Sequence, residues 1–163
     1  MRLALHPSPR PAWSALLFAM LCVSQTVLAD DGARIAPAAV LPKYKTECAA
    51  CHLAYPPGLL PAGSWQRVMS NLSRHYGTDA SLDVATGAEL SAWLSANAAT
   101  HRRFLDAPPE DRITRSAWFV RKHDEVSAAT WKRPAIKSPS NCTACHAGAE
   151  QGDFNERNIH IPR

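Results

Sequence analysis

Apolar positions along the chain recur with a helical period. Trp65, Val68, Met69, Leu72 and Tyr76 recur at helical spacing, which predicts a helix from about Ser64 to His75 with Ser64 as N-cap and Gly77 as its stop. The same spacing predicts a helix from about Asp83 or Thr86 to Ala98, with Leu90, Trp93 and Leu94 turned inward. Thr114 is placed to cap a third helix running to about Val126. Two further helices are expected, one from about Leu41 to Leu53 and one begun by Ser140 or Asn141. Between them Pro56-Pro57-Gly58 with Pro61, Pro108-Pro109, and Pro134 with Pro139 force irregular connections. No alternating run is long enough to build a sheet, and the tail from Gly152 to Arg163 reads as irregular. The expected fold class is mainly α, with short helices joined by Pro-rich loops.

The first 29 residues break this pattern. Arg2 and Arg10 precede an apolar stretch from about Trp13 to Leu28, and Val27-Leu28-Ala29 ends it with residues that suit signal peptidase. An uncleaved membrane anchor is the alternative reading, but Asp30-Asp31 directly after Ala29 favours cleavage. Met20-Leu21 lacks the small residues expected before a lipidated cysteine, so Cys22 is expected to leave with the signal. The expected organisation is a signal peptide over residues 1–29 and one domain over 30–163, periplasmic and with no stable membrane insertion after cleavage.

Charge narrows the partners only slightly. The full chain has 18 basic and 14 acidic residues, and residues 1–29 hold two arginines and no acid, leaving a small basic excess. No basic run interleaved with aromatics is present, so nucleic acid is not an expected partner.

The four cysteines of the expected domain form two pairs, each followed at once by histidine: Cys48-Ala49-Ala50-Cys51-His52 and Cys142-Thr143-Ala144-Cys145-His146. C-x-x-C-H is the signature of covalent haem attachment, in which two thiols add across the haem vinyl groups and the imidazole binds iron from one face. At positions i, i+3 and i+4 of a helical turn the three side chains would share a face. Two such motifs behind an export signal predict two haem c groups. A zinc site has no need of a histidine after each pair, and the gap between the pairs exceeds compact zinc spacings. A thioredoxin-like pair would need a βαβ context, and disulfides within C-x-x-C would close loops too small to constrain much. Trp65, Trp93, Trp118, Phe119 and Trp131 are the expected packing partners of the macrocycles, since a domain this small buries only a modest core of its own.

What occupies the second face of each iron decides function. A side-chain ligand makes a low-spin carrier, and an open face permits gas binding or catalysis. His75, His101, His123 and His160 remain, with Met69 the one methionine of the expected domain. His75 shares a stripe with Val68 and Leu72, and His123 shares a face with Phe119 and Val126, so both should point inward. His75 follows His52 by 23 residues and His123 precedes His146 by 23. His75 is therefore expected to serve the haem at His52 and His123 the haem at His146, with crossed pairing open. His101 reads as a helix-end residue, His160 as a tail residue and Met69 as core packing.

These residues resemble the bacterial dihaem cytochrome c family often called DHC, from about Tyr44 to Pro162. The likeness rests on Cys48-Ala-Ala-Cys-His52, Tyr55-Pro-Pro-Gly-Leu-Leu-Pro61, Ser64-Trp65, His75-Tyr76-Gly77, Arg112-Ile113-Thr114, Trp118-Phe119, Lys122-His123 and Asn141-Cys-Thr-Ala-Cys-His146. The resemblance implies two low-spin bis-histidine haems, with His52, His75, His123 and His146 as axial ligands. It implies a periplasmic electron donor, not an enzyme, whose partners are a membrane b-type cytochrome and a small oxygen-binding haem protein. Tyr76 stands where the family has phenylalanine, a change not expected to disturb ligation. A small dihaem subunit of a larger reductase is a related reading, and a haem enzyme or gas sensor with one open iron face is the alternative from another class.

Overall fold

The computed structural model describes residues 39–163, so the expected signal peptide, its cleavage site and Cys22 lie outside the described residues. Five short α-helices carry the fold: α1 (Pro42–Cys48), α2 (Ala62–Met69), α3 (Val84–Ala96), α4 (Ala117–Lys122) and α5 (Ala128–Trp131). Single 3-10 turns punctuate the connections between them. Among the described residues there is no strand, only isolated bridges between His75 and Thr78 and between His146 and Ile159. The mainly α expectation holds. Among the described residues, no helix is long and apolar enough to cross a membrane.

Helix α3 forms where its pattern placed it. The Asp83 carboxylate accepts the Thr86 N–H at 3.0 Å, satisfying a donor the first turn would leave orphaned. Leu90 and Leu94 then bury completely, one helical turn apart. They join Tyr44 of α1, Leu60 and Trp65 of α2 in one core cluster, with Trp93 and Met69 packed against it. Tyr44 lies on Trp93 with ring centres 4.9 Å apart, and Lys43 of α1 pairs with Glu89 of α3.

Other boundaries differ from the sequence expectation, each for a local reason. Helix α1 stops at Cys48, with the Ala49 N–H closing on the Lys45 carbonyl at 3.0 Å. Residues 53–56 are not helical, because Tyr55 precedes Pro56 and a residue before proline is pushed out of the α region. Helix α2 begins at Ala62, two residues before the expected start. Pro61 is its N-cap, and its carbonyl accepts the N–H groups of Ser64 and Trp65 at 3.0 and 3.3 Å. Ser64 is thus an interior residue, fully buried, its hydroxyl accepting from Arg67 at 3.2 Å. The helix ends at Met69, before Ser70 and Asn71, whose side chains compete for backbone groups.

In the second half the cap is Ser116, not Thr114. The Ser116 hydroxyl accepts the Phe119 N–H at 3.1 Å, while Thr114 sits in the preceding 3-10 turn. Helix α4 ends at Lys122, short of Val126, and the four-residue α5 follows, capped by Ser127. The second C-x-x-C-H segment is one tight turn and no longer helix: residues Cys142–Ala144 are 3-10, and the His146 N–H reaches the Cys142 carbonyl at 2.8 Å. The tail is irregular as expected, apart from one 3-10 turn at Glu156–Asn158.

The two halves are tied through Tyr55. The Tyr44 hydroxyl donates to the Tyr55 carbonyl at 2.6 Å, and the Tyr55 hydroxyl donates to the Ser140 carbonyl at 2.8 Å, two residues before Cys142. A second tie runs from Arg67 of α2 to Asp111, where two guanidinium nitrogens contact the two carboxylate oxygens at 2.9 and 2.6 Å.

Candidate functional site

The fold brings four histidines together as two pairs. His52 and His75 have ring centres 6.1 Å apart, and His123 and His146 have ring centres 6.2 Å apart. Each pair joins the histidine of a C-x-x-C-H motif to one of the two inward histidines, and the pairing is uncrossed. His101 is exposed and its ring caps a short turn, accepting the Arg103 N–H at 3.3 Å. His160 is exposed in the tail, and Met69 packs against the α1–α3 core. These three lie outside both pairs.

Local structure explains how each ring is presented. His75 follows the 3-10 turn Leu72–Arg74 as its C-cap residue, and His123 follows α4 in the same way. Directly after His75, Tyr76 and Gly77 both take positive φ, 52° and 99°, reversing the chain. Glycine has no Cβ to oppose this conformation, so Gly77 suits the turn. Tyr76 is held there by its hydroxyl, 3.0 Å from the Glu110 carbonyl and 3.1 Å from that of Asp111, and by Arg112 stacked 4.1 Å over its ring. The Tyr76 phenol gives this chain anchor points that a phenylalanine lacks.

Tautomers are set from the backbone. His52 Nδ1 lies 2.6 Å from the Leu53 carbonyl and His123 Nδ1 lies 2.9 Å from the Phe119 carbonyl. A carbonyl only accepts, so Nδ1 carries the proton in both rings and Nε2 keeps its lone pair free to bind a metal. Burial lowers the pKa of His75, with the nearby His52 and Arg112 adding to the effect. Burial lowers that of His146 as well, reinforced by His123 and opposed by Asp153. Both shifts favour the neutral imidazole, the form that ligates.

None of Cys48, Cys51, Cys142 and Cys145 is paired in a disulfide, so all four sulfurs are available for haem attachment. Among the described residues no three or more His, Cys, Asp or Glu side chains converge to hold a metal ion, so a four-ligand zinc centre has no ligand set here. What comes together instead is two imidazoles at each of two places.

The surroundings fit a haem. Two imidazoles on opposite faces of one metal, each bound at about 2.0 Å, would set their ring centres about 6 Å apart. Beside His123, His146 and Cys142, an apolar cleft is lined by Tyr55, Leu59, Trp118, Phe119 and Phe154, flat or branched side chains suited to a macrocycle. In that lining the buried Trp118 Nε1 has no hydrogen-bond partner. An indole N–H is a donor only, and a haem carboxylate is an acceptor of the kind it lacks. Trp118 and Phe119, two of the aromatics expected to pack on a macrocycle, both line this cleft. Trp65 and Trp93 instead belong to the protein's own core, Trp65 donating to the Pro57 carbonyl at 2.7 Å. The sequence reading gave Tyr55 no role, although the proline pair after it signals a fixed loop that could hold a ring in place.

Comparison with known proteins agrees with these features. No curated protein sequence matches the chain. Among solved structures it is similar to the dihaem cytochrome c of Shewanella baltica OS155, with 38% identity and a TM-score of 0.66 over 74% of this chain and 92% of that one. It is also similar to DHC purified from Rhodobacter sphaeroides, with 46% identity and a TM-score of 0.62 over 71% of this chain and 98% of that one. The dihaem cytochrome c family matches residues 44–154, a span that takes in both C-x-x-C-H motifs and both facing histidine pairs. On that match and those likenesses, the chain belongs to the dihaem cytochrome c family and carries two haem c groups.

Proposed function

We propose that this protein is a periplasmic electron carrier in which each haem iron is held between two histidines. Cys48 and Cys51 would attach one haem, with His52 and His75 holding its iron. Cys142 and Cys145 would attach the second, with His146 and His123 holding its iron. The observation that carries the reading is the spacing of the facing imidazoles, 6.1 and 6.2 Å, at both sites.

The bound iron supplies a one-electron couple, and the protein's part is to keep that couple closed to other chemistry. His75 and His123 would occupy the positions on iron that an oxygen, peroxide or carbon monoxide molecule would need. The Leu53 and Phe119 carbonyls hold His52 and His123 in the tautomer that leaves Nε2 as ligand. The core of α1–α3 and the Arg67–Asp111 tie keep the ligands in place, so little reorganises when the charge on iron changes. Electrons would pass from a membrane donor, such as a b-type cytochrome, to a soluble haem protein or reductase. Export through the segment that Arg2, Arg10 and Val27-Leu28-Ala29 define puts the chain in the compartment where covalent attachment takes place.

The test is the spectrum of purified protein, with intact mass beside it. Mass should exceed that of a chain beginning near Asp30 by two haems, and the haems should survive acid-acetone extraction. Oxidised and reduced spectra should be low-spin, and carbon monoxide should leave the reduced spectrum unchanged. A high-spin fraction that binds carbon monoxide would show an open iron face and sink the carrier reading.

A further inference from the structure

The two histidine pairs match in spacing and differ in orientation. The His52 and His75 ring planes lie 25° apart, close to parallel. The His123 and His146 planes lie 73° apart, close to perpendicular. We infer that Phe119 is a positioning residue that holds the His123 ring crosswise to His146, so that the two haem sites are electronically inequivalent. This rests on the bis-histidine reading above.

Phe119 grips His123 in two ways from one turn back in α4. Its ring lies flat on the imidazole, with centres 3.9 Å apart and planes 17° apart. Its carbonyl takes the Nδ1 proton at 2.9 Å. The flat contact opposes rotation of the imidazole about its Cβ–Cγ bond, and the hydrogen bond fixes which edge points inward. Phe119 itself is buried, with Trp131 against both rings at 6.3 Å from Phe119 and 5.8 Å from His123. On the opposite side, His146 is bounded by Phe154 at 5.4 Å and held by its backbone bond to Cys142 and its bridge to Ile159. The stacked face and the Nδ1 hydrogen bond together hold the His123 ring crosswise to His146.

The first site is built differently. His52 lies against Tyr55, with centres 4.8 Å and planes 22° apart, and its Nδ1 proton goes to the neighbouring Leu53 carbonyl. Tyr55 is fixed by its bond to Ser140, and the His75 ring lies within 25° of parallel to that of His52.

Ring orientation matters because each imidazole donates π density to the iron d orbital perpendicular to its own plane. Parallel planes act on one d orbital and split it from its partner, which gives a ferric haem a spread, rhombic magnetic spectrum. Perpendicular planes act on both orbitals alike and leave them nearly degenerate, which gives a single feature at large g. The site at His52 and His75 should be of the first type, and the site at His123 and His146 of the second.

Low-temperature paramagnetic resonance of the fully oxidised two-haem protein tests this. The expected spectrum holds two low-spin ferric signals of equal spin, one rhombic and one with the isolated large-g feature. Phe119→Leu keeps apolar bulk but removes the flat face, and should shift or broaden the large-g signal while the rhombic signal stays. Phe119→Tyr keeps the face and should retain both. Two rhombic signals in the unmutated protein, or a large-g signal untouched in Phe119→Leu, would overturn the inference and leave bis-histidine ligation standing. Because the unmutated spectrum decides inequivalence by itself, a Phe119→Leu protein that fails to fold does not remove the test. A high-spin signal in the unmutated protein would overturn the ligation reading, and the inference with it.

Discussion

His75 and His123 occupy the same local position, the residue after the last hydrogen-bonded turn of a short helical segment. There the backbone has left the helix, so the side chain swings away from the helix face and toward a partner elsewhere in the chain. Helical spacing identified both as inward but placed them inside longer helices than exist. Among the described residues neither site has a spare histidine, since His101 and His160 are exposed and otherwise placed. His123→Ala should therefore convert one haem to a high-spin form that binds carbon monoxide and leave the other spectrum intact. His75→Ala should do the same at the first haem. If either variant stays fully low-spin, the altered histidine is not a ligand.

At the scale of elements, short helices hold because caps and cross-ties replace length. Isolated helices this short are not stable in water, so tertiary contacts must supply what propagation cannot. The tie from α2 to Asp111 is one such contact. The Arg67 guanidinium holds the Asp111 carboxyl below its usual range, aided by a hydrogen bond involving Ser64 and opposed by burial. A carboxyl depressed in the folded state takes up its proton more readily when unfolded, so stability rises with pH until both forms are ionised. The contribution is complete above the unfolded aspartate value of about 3.9 and is lost as pH falls through the lower folded value. Asp111 sits at a positive φ of 54°, which asparagine tolerates. Asp111→Asn should consequently unfold more easily at neutral pH and lose stability less steeply between pH 5 and pH 3. Chemical denaturation across that range measures both effects, and a slope equal to that of the unmutated protein would show that Asp111 is not the titrating group.

For the molecule as a whole, the chain from one haem motif to the other is drawn together by few long-range bonds, and Tyr55 makes one of the most direct. Burial pushes its phenol up to about 12, so it stays protonated and donates to Ser140 at any pH the protein meets. Tyr55→Phe keeps the ring on His52 and removes only that bond. It should cost about 1 kcal/mol, visible as a fall of a few degrees in thermal midpoint, with both haems still low-spin. An unchanged midpoint would mean the halves are held by the remaining contacts alone.

Much of this protein follows from its sequence because the relevant information is local. A C-x-x-C-H motif is complete within five residues, and an apolar stripe such as Leu90, Trp93 and Leu94 specifies a helix face without reference to the rest of the chain. So the haem motifs, helix α3, the mainly α class and the inward histidines were all legible. Helix ends were less so, because several side chains compete for each cap. Ser116 took the place open to Thr114, and Pro61 started α2 before Ser64 could. The pairing of His75 with His52 and of His123 with His146 needed the tertiary structure, since equal spacing along the chain leaves crossed pairing open. The angle between paired rings needed it more. That angle depends on Phe119, Trp131, Tyr55 and Phe154 packing around the imidazoles, and ring packing of this kind is set by non-local contacts that no spacing along the chain records.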